Sequence, residues 1–283
     1  VVTLRDAATV MLVRDGANGL EVFMLRRNLN SDFVGGAYVF PGGAVDEEDR
    51  HADLEGVCRG RSDDQASNML GIDQGGLAFW VAAIRESFEE AGVLLATDEG
   101  GAVVSFADAD VAERFNLHRK AVDSGDRRLI EVCEAEDLLL AVDQMHYFSH
   151  WITPEGAPRR YDTRFFVCAA PPEQVPLHDD RETIANVWIR PAEALERHYA
   201  GDFDLIFPTI KSLETIGGFA RAQDLLDAAA AIENVPTILP RISNDGHGVR
   251  ILLPGDDGYE EAVAGGEWQL PMPGRPGGPV YGR

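Results

Sequence analysis

The sequence predicts an α/β layered domain with an insertion in its first half and a Pro/Gly-rich arm at its C-terminal end. Three observations carry that prediction. Two apolar, strand-like runs are separated by a turn near the start, an amphipathic helical stretch follows at 77–91, and strand and helix patterns then alternate as far as residue 232. A length of 283 residues with 45% hydrophobic side chains suffices for one large core and an appendage. The expected division is one domain over 1–233, with 46–76 inserted in it, and an extension over 234–283.

In chain order, 7–14 (A-A-T-V-M-L-V-R) and 20–26 (L-E-V-F-M-L-R) are the first strands, and the D-G-A-N-G between them is a hairpin signal. The apolar stretch 37–40 ends in the turn F-P-G-G at 40–43, whose adjacent glycines let the backbone approach a ligand closely. Residues 46–76 are acidic, rich in Gly, Ser and Asn and weakly periodic, which predicts a loop or loosely helical excursion over the surface. Within 77–91, Leu77, Trp80, Val81, Ile84 and Phe88 fall on one side at about 100° per residue. Residues 108–121 and 126–142 fit helices, 161–169 and 184–189 fit strands, and 191–199 fits a helix opened by Pro191. Two further helices, 205–215 and 219–232, are broken at Gly217 and Gly218. Beyond Asn234 a short hairpin is expected around 250–253, within an arm that wraps its own domain or a second subunit of a homodimer.

Chemistry concentrates in R-E-S-F-E-E-A-G-V at 85–93. Glu86, Glu89 and Glu90 have the i, i+3, i+4 spacing of one helical face, nearly opposite the apolar stripe. Like charges so placed cost a helix roughly 0.2–0.5 kcal/mol per pair, and they stand in the last turn before Gly92, where the helix dipole also disfavours anions. An isolated E-x-x-E-E is usually only a solvated face; the F-P-G-G ahead of it shifts the balance toward a ligand site. A hard ion such as Mg²⁺ takes oxygen ligands, and Glu86, Glu89, Glu90 and a carbonyl near Gly43 would supply them.

At these residues the chain resembles the Nudix hydrolases, whose box runs G-x5-E-x7-R-E-U-x-E-E-x-G-U with U a bulky apolar residue. Gly43 stands at the first glycine, Arg85, Glu86, Glu89, Glu90 and Gly92 in the second half, and Val93 at the last apolar position. Two departures are visible. Asp49 replaces the early glutamate, and residues 50–84 separate it from Arg85 where the family has only seven, so the box is split by an insertion. Ser87 occupies a normally apolar position, which shifts packing onto Phe88. The split box, the F-P-G-G and the W-I-T-P-E-G-A-P-R-R-Y-D-T-R-F-F-V at 151–167 resemble in particular the peroxisomal coenzyme A diphosphatase branch.

That resemblance, over most of 5–230, implies a Nudix α/β/α sandwich with a mixed sheet. It also implies hydrolysis, with Mg²⁺ or Mn²⁺, of a nucleoside diphosphate linked to another moiety, coenzyme A or acyl-CoA first. An ADP-ribose or NADH diphosphatase is the alternative among enzymes, and a nucleotide-sensing module without turnover the alternative outside them. Metal would be held by Gly43, Glu86, Glu89 and Glu90, with Arg85 orienting Glu89 one turn away. Relatives recruit an acidic residue from the loop before a late strand; in H-D-D-R-E-T-I-A-N-V-W-I that choice is Glu182, with Asp179 and Asp180 close by. Substrate contacts are expected from Arg27, Gly42, Gly43 and Arg164. Leu25, Arg27, Gly36 and the 40–43 turn keep the register of the branch's coenzyme A signature, but Asp32 stands where a second arginine would be. The loss of that cation would weaken recognition of a 3′-phosphate or move the preference to another diphosphate. Residues 50–76 are expected either as a flap beside the substrate or as a neutral excursion.

A net charge of −23 argues against a general nucleic-acid groove, so an anionic substrate must be met locally, with Arg26, Arg27, Arg159, Arg160 and Arg164 as candidates. No run approaches the ~18 apolar residues of a membrane span. The start lacks signal-peptide architecture and the end does not read S-K-L, so the expected location is cytoplasmic. Three well-separated cysteines imply neither a zinc site nor a disulfide framework. His146 and His150 have i, i+4 spacing, but the aromatic M-H-Y-F-S-H-W around them reads as strand or loop rather than helix.

Overall fold

In the computed structural model, which describes residues 2–29, 35–50, 52–179, 181–244 and 249–262, the two early apolar runs pair as a hairpin. β1 (Leu4–Gly16) and β2 (Gly19–Arg27) are antiparallel, with Gly16 opposite Gly19. β3 (Tyr38–Val39) joins β2, and β4 (Gly42–Ala44) lies antiparallel on β1 so that Gly43 pairs with Ala8. A 3-10 turn at Glu47–Arg50 leads to α1 (Leu54–Val57), α2 (Asp63–Leu70) and α3 (Leu77–Ala91). Next come β5 (Ala96–Thr97), α4 (Ala109–Asp123), α5 (Leu129–Ala135) and β6 (Leu139–Leu140). β7 (His146–Ile152), β8 (Arg160–Ala169) and β9 (Thr183–Ile189) return to the main sheet. They precede α6 (Pro191–Ala200), α7 (Phe207–Ile216), α8 (Ala222–Ala230), β10 (Thr237–Ile238), β11 (Arg241–Asn244) and β12 (Val249–Leu252).

The main sheet is mixed. β8 runs parallel to β1 from the Leu4–Arg160 pair to the Val13–Ala169 pair, while β7 is antiparallel to β8 and β9 antiparallel to β2. Side chains alternate across a strand, and β1 shows both faces buried: Ala8, Val10 and Leu12 pack with α3, whereas Met11 and Val13 pack with α6, α7 and α8. Helices therefore cover both faces, as an α/β/α sandwich requires. Full burial of side chains such as Phe23, Trp80 and Phe166 stabilises the layers by about 1.5–3 kcal/mol each.

Two expectations need correction. Residues 46–76 are not a surface excursion, because Leu54, Val57, Cys58, Ala66 and Leu70 enter the core on the α3 side. The Asp63 carboxylate also accepts the N–H groups of Gly75 and Leu77 at 2.8 and 2.9 Å, and Ser67 Oγ accepts that of Gly76 at 2.9 Å. Asp63 and Ser67 thus cap α3 at the end away from its glutamates, while Asp49 of the same segment lies on Arg85. The helix expected over 126–142 is only Leu129–Ala135, and the chain turns through a left-handed backbone at Asp137, φ 52°, into β6. In the arm, β11 and β12 form the expected hairpin, and β10 adds a parallel edge to β7. The tail from 263 lies outside the described residues. Cys58, Cys133 and Cys168 are buried and unbridged, and no helix among the described residues is long and apolar enough to cross a membrane.

Candidate active site

α3 delivers its carboxylates onto the glycine pair of β4. Gly92 ends the helix at φ 66°, its N–H donating to Phe88 O while Val93 N–H donates to Ser87 O. Ser87, fully buried where an apolar residue is usual, donates Oγ to Val93 O at 3.0 Å, so its hydroxyl is satisfied locally. The glutamate face is packed rather than solvated. Gly42 N–H donates to Glu90 Oε2 at 3.0 Å, and a Cβ at Gly43 would come within 2.4 Å of Glu86 Oε1. Only glycine lets Glu86 lie against that backbone.

Arg85 holds this face together. Its Nη1 donates to Glu86 Oε1 and Glu89 Oε2, both at 2.9 Å, while Nε and Nη2 donate to Asp49 Oδ1 and Oδ2, also at 2.9 Å. Nη2 reaches Ala44 O as well. The fork geometry of a guanidinium permits this set, and a lysine could not replace it. Asp49 is only 2% exposed, so the residue at the early box position grips Arg85 instead of facing the ligand side. Arg85 thus contacts Glu89 one turn away, as its spacing leads one to expect, and Glu86 as well.

One guanidinium does not neutralise this many carboxylates. Burial pushes the Glu86 and Glu89 carboxyls up to about 7, despite the pull of Arg85. Glu90 is raised well above its ordinary range, by burial first and by Glu86 second, with the Gly42 N–H and Arg27 acting in the opposite sense. Among the described residues no three acidic, histidine or cysteine side chains converge as metal ligands; the carboxylates lean on Arg85 and Gly42. The chemistry of the donor set nevertheless fits a hard divalent ion, being all oxygen, largely shielded, in negative excess and beside a glycine backbone.

Other expected residues divide into two groups. Arg27, at the end of β2 opposite Thr183, acts on Glu90 electrostatically, and its buried Nε has no hydrogen-bond partner among the described residues. Glu182 is exposed ahead of β9, within electrostatic reach of Glu90, and its carbonyl accepts Asn28 N–H at 2.8 Å. Glu90 feels both electrostatically, in opposite senses. Asp179 instead organises the loop: partial burial would raise its carboxyl, but donors from Thr183, Glu182 and Arg181 hold it below the usual range. Arg164 is buried over the Phe79 ring at 5.2 Å, its Nη1 engaged by Asp162 and His150 while its buried Nε has no hydrogen-bond partner among the described residues. His146 and His150 lie on β7, as strand residues. Asp32 and Asp180 lie outside the described residues. One contributor carried no signal in the sequence: Arg119 of α4 donates to the carbonyls of Glu89 and Glu90 at 2.9 and 3.0 Å.

An α/β/α sandwich that sets an R-E-x-x-E-E helix against paired glycines defines the class, a Nudix-type diphosphatase. A family model of the NUDT19 Nudix domain matches residues 61–216. Human acyl-coenzyme A diphosphatase NUDT19 is 30% identical over 277 residues, covering 87% of this chain and 74% of that protein. The Gallus gallus protein of the same name is 29% identical over 305 residues, covering 91% and 80%. The crystal structure of a NUDIX hydrolase from Alicyclobacillus acidocaldarius superposes with a TM-score of 0.67 at 26% identity, over 83% of this chain and 99% of that one. The chain belongs to the NUDT19 family of Nudix hydrolases.

Proposed function

We propose that the protein hydrolyses the diphosphate of coenzyme A or an acyl-CoA, using Mg²⁺ or Mn²⁺ held by Glu86, Glu89, Glu90 and the carbonyl of Gly43. The observation that carries this reading is the packing of Glu90 against Gly42 and of Glu86 against Gly43, with Arg85 joining Glu86 to Glu89. The relatives named acyl-coenzyme A diphosphatase support the substrate. When bound, the ion would offset the diphosphate charge and make an attacking water more acidic. Glu182, exposed at the rim near Glu90, takes the proton from that water. Arg27 offers its unpartnered Nε to a phosphate oxygen, and Asp49 keeps Arg85 turned toward Glu86 and Glu89. Arg164, engaged by Asp162 and His150, is given no substrate contact.

Asp32, in place of the signature's second arginine, favours a second reading in which ADP-ribose or NADH is preferred. A mass-spectrometric panel of coenzyme A, acyl-CoA, ADP-ribose, NADH and diadenosine polyphosphates, with each ion, separates the two. Release of adenosine 3′,5′-bisphosphate and a phosphopantetheine at the highest kcat/KM supports the first reading. Preferential release of AMP from ADP-ribose or NADH supports the second, and no ion-dependent product from any member overturns both.

A further inference from the structure

The carbonyls closing α3 sit where the helix dipole is negative and where the glutamates add further negative charge. They are met by one side chain from another element. Arg119 Nε donates to Glu89 O at 2.9 Å, and its Nη2 donates both to Glu90 O and to Leu177 O at 3.0 Å. Leu177 belongs to the loop that carries Glu182. That loop is also tied back by Leu177 N–H donating to Ala91 O at 2.9 Å, and by an ion pair between Arg181 and Asp123, the last residue of α4. Space for the guanidinium is made by Gly92, where a Cβ would come within 2.9 Å of Arg119 Nη1. The box glycine therefore serves two needs at one position, a left-handed helix end and an approach path for a cation.

We propose that Arg119 is a positioning residue that locks the end of α3 to the 177–182 loop, fixing Glu89 and Glu90 in register with Glu182. The inference rests on the roles proposed for those glutamates. A planar guanidinium can bridge three carbonyls on two elements, whereas a lysine ammonium is a point donor on a flexible stem. A misplacement of about 1 Å between reacting groups can cost as much as a hundredfold in rate.

The test compares Arg119→Ala, Arg119→Lys and Arg114→Ala in the full chain. Arg114 lies on the same helix but pairs with Glu136, away from both α3 and the loop, and controls for loss of α4 stability. Steady-state hydrolysis of coenzyme A at saturating Mn²⁺ is paired with amide exchange over 86–93 and 177–183. The expected result is that Arg119→Ala lowers kcat roughly ten- to a hundredfold with KM within about threefold. Arg119→Lys falls between it and the wild type, and Arg114→Ala matches the wild type. Exchange should rise in both segments of Arg119→Ala together. A wild-type kcat in Arg119→Ala, or unchanged exchange in the loop, overturns the proposal. If the wild type itself shows no ion-dependent hydrolysis, the functional reading fails separately, and the exchange result alone then decides whether Arg119 couples the two elements.

Discussion

Glu86 and Glu89 show how a helix tolerates charges that its local physics disfavours. Both lean on Arg85, yet burial outweighs that attraction and lifts their carboxyls from 4.5 to about 7. The folded, ion-free protein then binds protons more tightly than the unfolded chain. The stability contributed by these two groups is complete below about pH 4.5 and is lost as the pH rises through about 7. Against a Glu86→Gln/Glu89→Gln variant, the ion-free wild type should lose thermal stability across that window, and Mn²⁺ should raise its Tm more at pH 8 than at pH 5. Equal Mn²⁺ shifts at both values would contradict the assignment. The glutamates were legible because their spacing carries the chemistry in the sequence itself. Asp49 was legible only as a substitute at a box position; its bidentate hold on Arg85 depends on a 3-10 turn that the acidic run does not announce. Arg119 was not legible at all, since its partners are backbone carbonyls and no residue type marks those.

The elements around α3 explain why the insertion was misread. α1 has four residues and α2 eight, too short for apolar periodicity to stand out from an acidic composition. Yet S-D-D-Q at 62–65 is a capping box, with Ser62 Oγ accepting Gln65 N–H and Gln65 Oε1 accepting Ser62 N–H, and Gly71 closes the helix at φ 67°. Those start and stop signals were present in the sequence. What could not be read was the destination of Asp63, whose carboxylate serves the first turn of a different helix because Gly76 at the N-cap has no side chain to do so. Asp63→Ala should destabilise the protein by about 1–2 kcal/mol in urea denaturation, in line with the loss of a cap. Turnover per folded molecule should stay unchanged, because the cap lies at the end of α3 away from the glutamates. A lower kcat with unaltered stability would instead place the insertion in the substrate's path.

Across the whole molecule, the apolar runs at 7–14 and 20–26 read as strands and both form, and β1 proves to be buried on both faces between helix layers. The pairing order did not follow from pattern alone. β8 lies parallel to β1 across a long intervening stretch, and β10 from the arm joins the far edge beside β7, contacts whose partners are remote in sequence. This sheet sets β4 and its glycines beneath α3, and the proposed chemistry follows from that juxtaposition. It is tested most directly by quantifying adenosine 3′,5′-bisphosphate released from coenzyme A by the wild type, Glu86→Gln and Glu90→Gln, each with saturating Mn²⁺ and with chelator. The expected result is turnover by the wild type that requires the ion, and a rate at least about a hundredfold lower in both variants while their melting transitions remain cooperative. Near-wild-type rates in both variants, or turnover by the wild type that persists in chelator, would contradict it.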